Sequence, residues 1–227
     1  MADAVIRPAA PGDEAGAHYV CLKTGNFGAD GEPLYRDDPD ALGRMFVGPY
    51  LAYEPASSLV LEDAKGICGY ALGALDSRAF YARFEAEWRP ALCARYPAPT
   101  GDPASWTPVE RVHQSYHQPD YFCPEPYDRY PSHLHIDLLP HVQGRGYGRR
   151  MLEQVMDTLR WRGSPGAHLG VSVFNDKAQG FYRRLGFTEL TIAGEGSERC
   201  IYMGVSLADR PAGPDPAAKT PPSAIRP

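Results

Sequence analysis

Residues 133–159 read as a strand, a glycine-spaced turn and an amphipathic helix in immediate succession, and this unit constrains the chain more than any other segment. From His133 to Leu139 the side chains alternate, with Leu134, Ile136 and Leu138 on one face and His133, His135 and Asp137 on the other, until Pro140 ends the strand. Gln143-Gly144-Arg145-Gly146-Tyr147-Gly148 follows, and Met151, Leu152, Val155, Met156 and Leu159 then form one apolar helical stripe closed near Gly163. Three glycines at alternate positions remove the Cβ atoms that hold a ligand off the backbone, so several N–H groups converge at a helix N-terminus. Aligned peptide dipoles place roughly half a positive charge there. Arg145, Arg149 and Arg150 add full charges, so the point favours an anion such as a pyrophosphate. Two nucleotide loops are excluded: no Gly-Lys-Ser or Gly-Lys-Thr occurs, and the dinucleotide fingerprint needs glycine where Arg149 stands. A turn that only tightens a strand-to-helix connection carries similar glycines, so the loop alone leaves that reading open.

Upstream, a short strand at Ala4–Ile6 precedes a helix from Asp13 to about Thr24, a second helix spans Asp38 to about Tyr53, and Ser58–Glu62 and Ile67–Leu75 form a hairpin. Arg78–Tyr96 has helical spacing until Pro90 interferes. Residues 97–131 are rich in proline and aromatics without sustained periodicity, which marks an ordered insertion that covers the sheet or walls a substrate site. Downstream, Ala167–Phe174 alternates, Asn175 caps a helix carrying Ala178, Phe181, Tyr182 and Leu185 that Gly186 ends, and strands follow at Thr188–Ala193 and Cys200–Leu207. One domain over residues 1–207 is expected, with a proline-rich tail at 208–227.

These residues carry a resemblance. IDLLPHVQGRGYGRRML resembles the acetyl-CoA motif of the GNAT N-acetyltransferase superfamily, whose pattern Gln/Arg-x-x-Gly-x-Gly/Ala is matched by Gln143, Gly146 and Gly148. VSVFNDKAQGFYRRLGFTEL resembles the superfamily's second signature through Asn175, Ala178, Phe181, Tyr182, Gly186 and Phe187. The run YPSHLHIDLLP at Tyr130–Pro140 is similar to the acetyltransferase-like domains found with O-GlcNAcases and to their bacterial stand-alone relatives. The resemblance implies an α/β fold, a mixed and mostly antiparallel sheet flanked by helices, with a splayed central strand pair. It implies acetyl-CoA as co-substrate, no metal, and transfer of the acetyl group directly to a primary amine. The pantetheine arm would lie along Ile136–Leu139, with the Leu138 or Leu139 amide donating to the thioester carbonyl. Backbone amides of Val142, Gln143, Gly144, Arg145, Gly146, Tyr147, Gly148 and Arg149 would hold the pyrophosphate, with Arg145 and Arg149 aiming charge at it. Tyr182 matches the tyrosine that protonates the departing thiolate, and Asn175 the residue that contacts the pantetheine arm.

For the amine's proton, Asp137 and His135 share one strand face and are the candidates, with Glu62 behind them. His113 and His117 have helical spacing but no metalloprotease context, and Cys123 lacks an evident base. The net charge of −5 gives no field that draws nucleic acid or an anionic membrane. The N-terminus lacks a signal-peptide core and no long apolar run occurs, so no membrane association is expected. Five scattered cysteines without a C-x-x-C pair fit a reducing cytoplasm. The acceptor would be a small-molecule amine or a protein lysine. The alternative readings are a CoA-binding protein that has lost catalysis, and an anion- or nucleotide-binding module built on the same loop.

Overall fold

Among the described residues seven strands form one mixed sheet. The computed structural model describes residues 3–119, 121–196 and 199–208. The strands are β1 (Val5–Pro8), β2 (Ser58–Asp63), β3 (Gly66–Ala74), β4 (Ser132–Leu138), β5 (Gly166–Ser172), β6 (Thr188–Ala193) and β7 (Cys200–Ser206), in the spatial order β1-β2-β3-β4-β5-β7-β6. Every neighbouring pair is antiparallel except β4 and β5, which run parallel. The mixed, mostly antiparallel architecture expected from sequence is therefore the one observed. Apart from Ala208, the tail lies outside the described residues.

Helices cover both faces. On one, α7 (Tyr147–Trp161) buries Met151, Leu152, Val155, Met156 and Leu159 against the sheet, joined by α8 (Asp176–Arg184) through Tyr182. Gly73 lets α7 come close, because a Cβ there would sit 2.7 Å from a Val155 methyl. On the other face lie α1 (Glu14–Thr24), α2 (Ala41–Phe46), α3 (Gly48–Tyr53), α4 (Ser77–Arg83) and α5 (Arg89–Arg95), with a core that includes Val20, Tyr50, Leu72, Phe80 and Phe84.

Three local expectations need correction. The helix expected over Asp38–Tyr53 is two helices broken at Val47, where Pro49 starts α3 and Gly48 lies so close to Trp88 that a Cβ would approach its ring to 2.7 Å. Pro90 does not end the helix before it. A π-helical turn over Phe84–Trp88 intervenes, in which the Arg89 N–H reaches the Phe84 carbonyl, and α5 then begins with Pro90 in its first turn. The third correction lies within 97–131, where Pro108–His117 forms a helix, α6, opened by a capping box. The Glu110 N–H donates to the Thr107 hydroxyl at 3.2 Å while the Thr107 N–H donates to the Glu110 carboxylate at 2.7 Å. The Thr-Pro-x-Glu start was visible in the sequence. The insertion is thus docked: Val112 and Tyr116 enter the core, and the Tyr116 hydroxyl donates to the Ala41 carbonyl at 2.6 Å.

Tyr116→Phe leaves that buried carbonyl without its donor, so unfolding by urea should show a loss of about 1–3 kcal/mol. An unchanged midpoint would mean that α6 does not bear on the core.

Candidate active site

The site starts from a break in the sheet. β4 and β5 pair only at Ser132↔Ala167 and His133↔His168 and then part. Each stays bound on its far side, β4 to β3 as far as Gly69↔Leu138, and β5 to β7 as far as Ser172↔Cys200. The Leu139 N–H donates to the Cys68 carbonyl at 2.8 Å. Because bonding toward a given neighbour alternates along an antiparallel ladder, Leu139, Asp137 and His135 turn their backbone groups to β3, and Leu138, Ile136 and Leu134 turn theirs to the gap. Of the two amides left open by sequence, Leu138 therefore faces the gap and Leu139 is already engaged. The Leu138 carbonyl accepts from Gln143 Nε2 at 2.7 Å, tying the strand to the loop that follows.

A cavity of about 810 Å³ occupies this gap and runs to the glycine loop. Gly144, Gly146, Gly148, Gln143, Arg149, Asn175, Leu138, Asp137, His135 and Tyr182 all line it. The glycines serve different purposes. Gly144 (φ 71°) and Gly146 (φ 80°) are left-handed with nothing within 4 Å of a Cβ, so the backbone conformation requires them. At Gly148 the requirement is space, since a Cβ would lie 3.1 Å from Leu138 and 3.4 Å from Phe181. Gly146 immediately precedes α7, whose first-turn N–H groups have no intrahelical partner and face this loop.

Val142 and Tyr147 are placed otherwise. Both side chains are buried in the α7 core, where the Tyr147 hydroxyl accepts from the Ala4 N–H at 3.1 Å, and the Val142 and Gln143 N–H groups already donate to the Leu139 and Pro140 carbonyls at 3.1 and 3.2 Å, so the amides left for an anion begin at Gly144. Arg145 reaches the Asp3 carboxylate at 3.1 Å, and Arg149 pairs with Glu153 at 2.8 Å. Asn175 caps α8, accepting from the Ala178 N–H at 3.1 Å. Glu62 is tied to Arg7 at 2.6 Å and is not among the cavity residues. His113 bonds Asp38 at 2.9 Å, His117 bonds the Tyr96 carbonyl at 2.8 Å, and Cys123 is not a lining residue.

Sequence reading missed several lining residues. Lys177 Nζ donates to Gln143 Oε1 at 2.5 Å beside the loop, and Arg184 adds a second charge. Thr24 ends α1, and Phe27 and Gly28 come from the turn after it, which reaches α8; a Cβ on Gly28 would come within 3.2 Å of Asn175. Lys177 stands two residues after Asn175 in the second signature, which is the one signal that pointed to it.

Asp137 and Tyr182 line the same cavity. Burial pushes the Asp137 carboxyl up to about 6, against the opposing effect of the Tyr70 hydroxyl, which donates to it at 2.5 Å. His135, on the same strand face, is pushed down to about 4 by burial and by His168, so it is neutral at pH 7. Tyr182 is 8% exposed, and burial together with the nearby Asp137 raises its hydroxyl pKa, which keeps the proton on it. The cavity thus joins an anion-attracting loop, free backbone donors, a carboxylate and a protonated phenol.

Comparison with known proteins agrees with this geometry. A family model described as an acetyltransferase (GNAT) domain matches residues 121–189, which hold the parted strands, the loop and both adjoining helices. Protein O-GlcNAcase of Rattus norvegicus is 30% identical over 203 residues, 89% of this chain. The chain spans 22% of that relative's length. The crystal structure of SsHAT is 37% identical with a TM-score of 0.81, covering 92% of this chain and 100% of that one. A Salmonella typhimurium structure, yncA with its cofactor acetyl-CoA, shares the fold at 18% identity and a TM-score of 0.52, covering 95% of this chain and 99% of that one. With its parted strands, its glycine loop and these relatives, the chain belongs to the GNAT acetyltransferase superfamily.

Proposed function

We propose that the protein is an N-acetyltransferase that moves the acetyl group directly from acetyl-CoA to a primary amine. The observation that carries this reading is the meeting, in one cavity, of the strand with free backbone groups, the glycine loop, Asp137 and Tyr182. Acetyl-CoA fits what is present: an extended amide-bearing arm suits the backbone groups of Leu134, Ile136 and Leu138, and a diphosphate suits the N-terminus of α7 near Lys177 and Arg149.

The amine nitrogen attacks the thioester carbonyl carbon, a C–N bond forms, and the C–S bond then breaks with its electron pair going to sulfur. Negative charge that gathers on the carbonyl oxygen meets the Leu138 N–H, and one such donor is worth about 3–4 kcal/mol. Holding both reactants in line supplies roughly 7–11 kcal/mol more. Tyr182 gives its proton to the thiolate, and the amine's proton goes to Asp137. Freeing a lysine-like amine of its proton at pH 7 costs about 4.6 kcal/mol, so the stronger base is the better acceptor. That base is Asp137, because its carboxyl sits near 6 and the His135 imidazole near 4.

The first test is thiol release from acetyl-CoA in the presence of an amine panel; binding of acetyl-CoA without transfer to any amine would favour a CoA-binding protein that has lost catalysis. Gly146→Asp places a carboxylate at the cradle and a side chain at positive φ, so titration calorimetry should show acetyl-CoA affinity falling at least tenfold with the fold retained by circular dichroism. Wild-type affinity would mean that the loop holds something else. Asp137 acts as the carboxylate, so kcat/KM measured with a weakly basic amine should rise with pH through about 6, and Asp137→Asn should remove that rise. The stability sign is opposite. A carboxyl whose folded pKa is raised favours the protonated state, so stability falls as pH rises from the ordinary value of 3.8 to about 6 and the cost is complete above that, and Asp137→Asn should gain in melting temperature relative to wild type at pH 8 but not at pH 4.

A further inference from the structure

A second cavity, of about 250 Å³, lies where β4 and β5 begin to part, and it shares Leu134, His135 and Gly170 with the larger one. The two cavities therefore meet at the vertex of the gap. Its walls are aromatic: Tyr50, Phe80 and Tyr81 from α3 and α4, Tyr121 and Phe122 from the insertion, and Tyr202 from β7. His133, His135 and His168 add imidazoles to the lining on the strand side. Resting on the acetyltransferase reading, we propose that this cavity seats the acceptor, and that the acceptor is a small monoamine carrying one flat aromatic group, an arylalkylamine.

The wall chemistry selects this class. Among the described residues, none of those lining it is Asp, Glu, Lys or Arg, whereas the larger cavity has Asp137, Arg149, Lys177 and Arg184. Polyamines and aminoglycosides bring several ammonium groups, and each would be desolvated here without a counter-charge. The polar edges of Tyr50, His133 and Tyr121 are already used within the protein. Ser77 donates to the Pro131 carbonyl at 2.7 Å, so it accepts from His133 Nδ1 at 2.7 Å, which leaves Nε2 to accept from the Tyr50 hydroxyl at 2.6 Å. Tyr121 donates to Glu85 at 2.7 Å. What the cavity presents is ring faces and edges. Tyr81 stacks on His133 at 5.1 Å and on Tyr121 at 4.7 Å, while Phe122 leans on Tyr202 at 4.3 Å. Such a lining favours another ring edge-on or offset. Size points the same way, because drug-sized ligands occupy about 300–1,000 Å³ and this cavity holds about eight waters' worth. With the ring seated, the amine projects through the shared opening beside His135 toward the thioester. There its nitrogen takes the acetyl group, its lost proton goes to Asp137, and the sulfur leaves as the thiol.

The test compares kcat/KM by thiol release for 2-phenylethylamine and tryptamine with that for butylamine, spermidine, kanamycin and a lysine-containing peptide. The arylalkylamines should exceed each of the others at least tenfold. Phe122→Ala should raise the KM for 2-phenylethylamine at least fivefold, with acetyl-CoA affinity by calorimetry unchanged. Spermidine, kanamycin, butylamine or the peptide matching the arylalkylamines would overturn the proposal while leaving the acetyltransferase reading intact. If no amine is acetylated, that reading fails and binding decides the acceptor class. Saturable binding of 2-phenylethylamine to the CoA-loaded protein, absent for spermidine and weakened by Phe122→Ala, supports the cavity's assignment, and no binding refutes it.

Discussion

Everything in the candidate site follows from where two parallel strands stop pairing. β4 and β5 share only Ser132↔Ala167 and His133↔His168, yet each is held along its length by another neighbour. The sheet is thus two half-sheets hinged at one short junction, β1-β2-β3-β4 on one side and β5-β7-β6 on the other. A strand edge inside a protein is costly if its N–H and C=O groups find no partner. Such an edge is also an unfilled half of a ladder. A ligand with its own spaced amides completes it, which is the physical basis for placing the pantetheine arm of the proposed co-substrate there.

The same junction orders the surrounding chemistry. At its end β4 turns at Pro140 into the glycine loop, and Gln143 bonds back to the Leu138 carbonyl, so the anion-attracting end of α7 is fixed relative to the free strand edge. On the far face β4 carries His133, His135 and Asp137 into an aromatic and apolar layer, and burial there shifts both titrating types toward neutrality. One environment therefore makes the carboxylate a better base and the imidazole a poorer one. Burial likewise keeps the Tyr182 proton in place. Acid and base roles in the proposed reaction come from position in the sheet more than from residue type.

Much of this was legible in the sequence because it was written locally. The alternation of β4, the glycines at 144, 146 and 148, the α7 stripe and the Asn175 cap each lie within a few residues of one another, and period and capping rules read them directly. What escaped was either nonlocal or hidden by proline. Which of the Leu138 and Leu139 amides is free depends on β3, some seventy residues earlier, so no pattern within β4 distinguishes them. The turn through Phe27 and Gly28 reaches the site only because α1 crosses the sheet, and nothing in its composition says so. Helix α6 was hidden by the prolines around it, although its Thr107–Glu110 capping box was in plain view. Close approach to a ligand explains all three loop glycines from sequence, and packing at Gly148 supplies a second reason that only the neighbours Leu138 and Phe181 reveal.

In the proposed reaction the parted edge of β4 and the loop after it receive acetyl-CoA. Residue-resolved amide hydrogen exchange, with and without acetyl-CoA, reads those groups one at a time. Slowed exchange at Ile136 and Leu138 and across Gly144–Gly148, with Leu139 unchanged because its N–H is already bonded to Cys68, is the expected result. Unaltered exchange at these amides in the presence of saturating acetyl-CoA would contradict it.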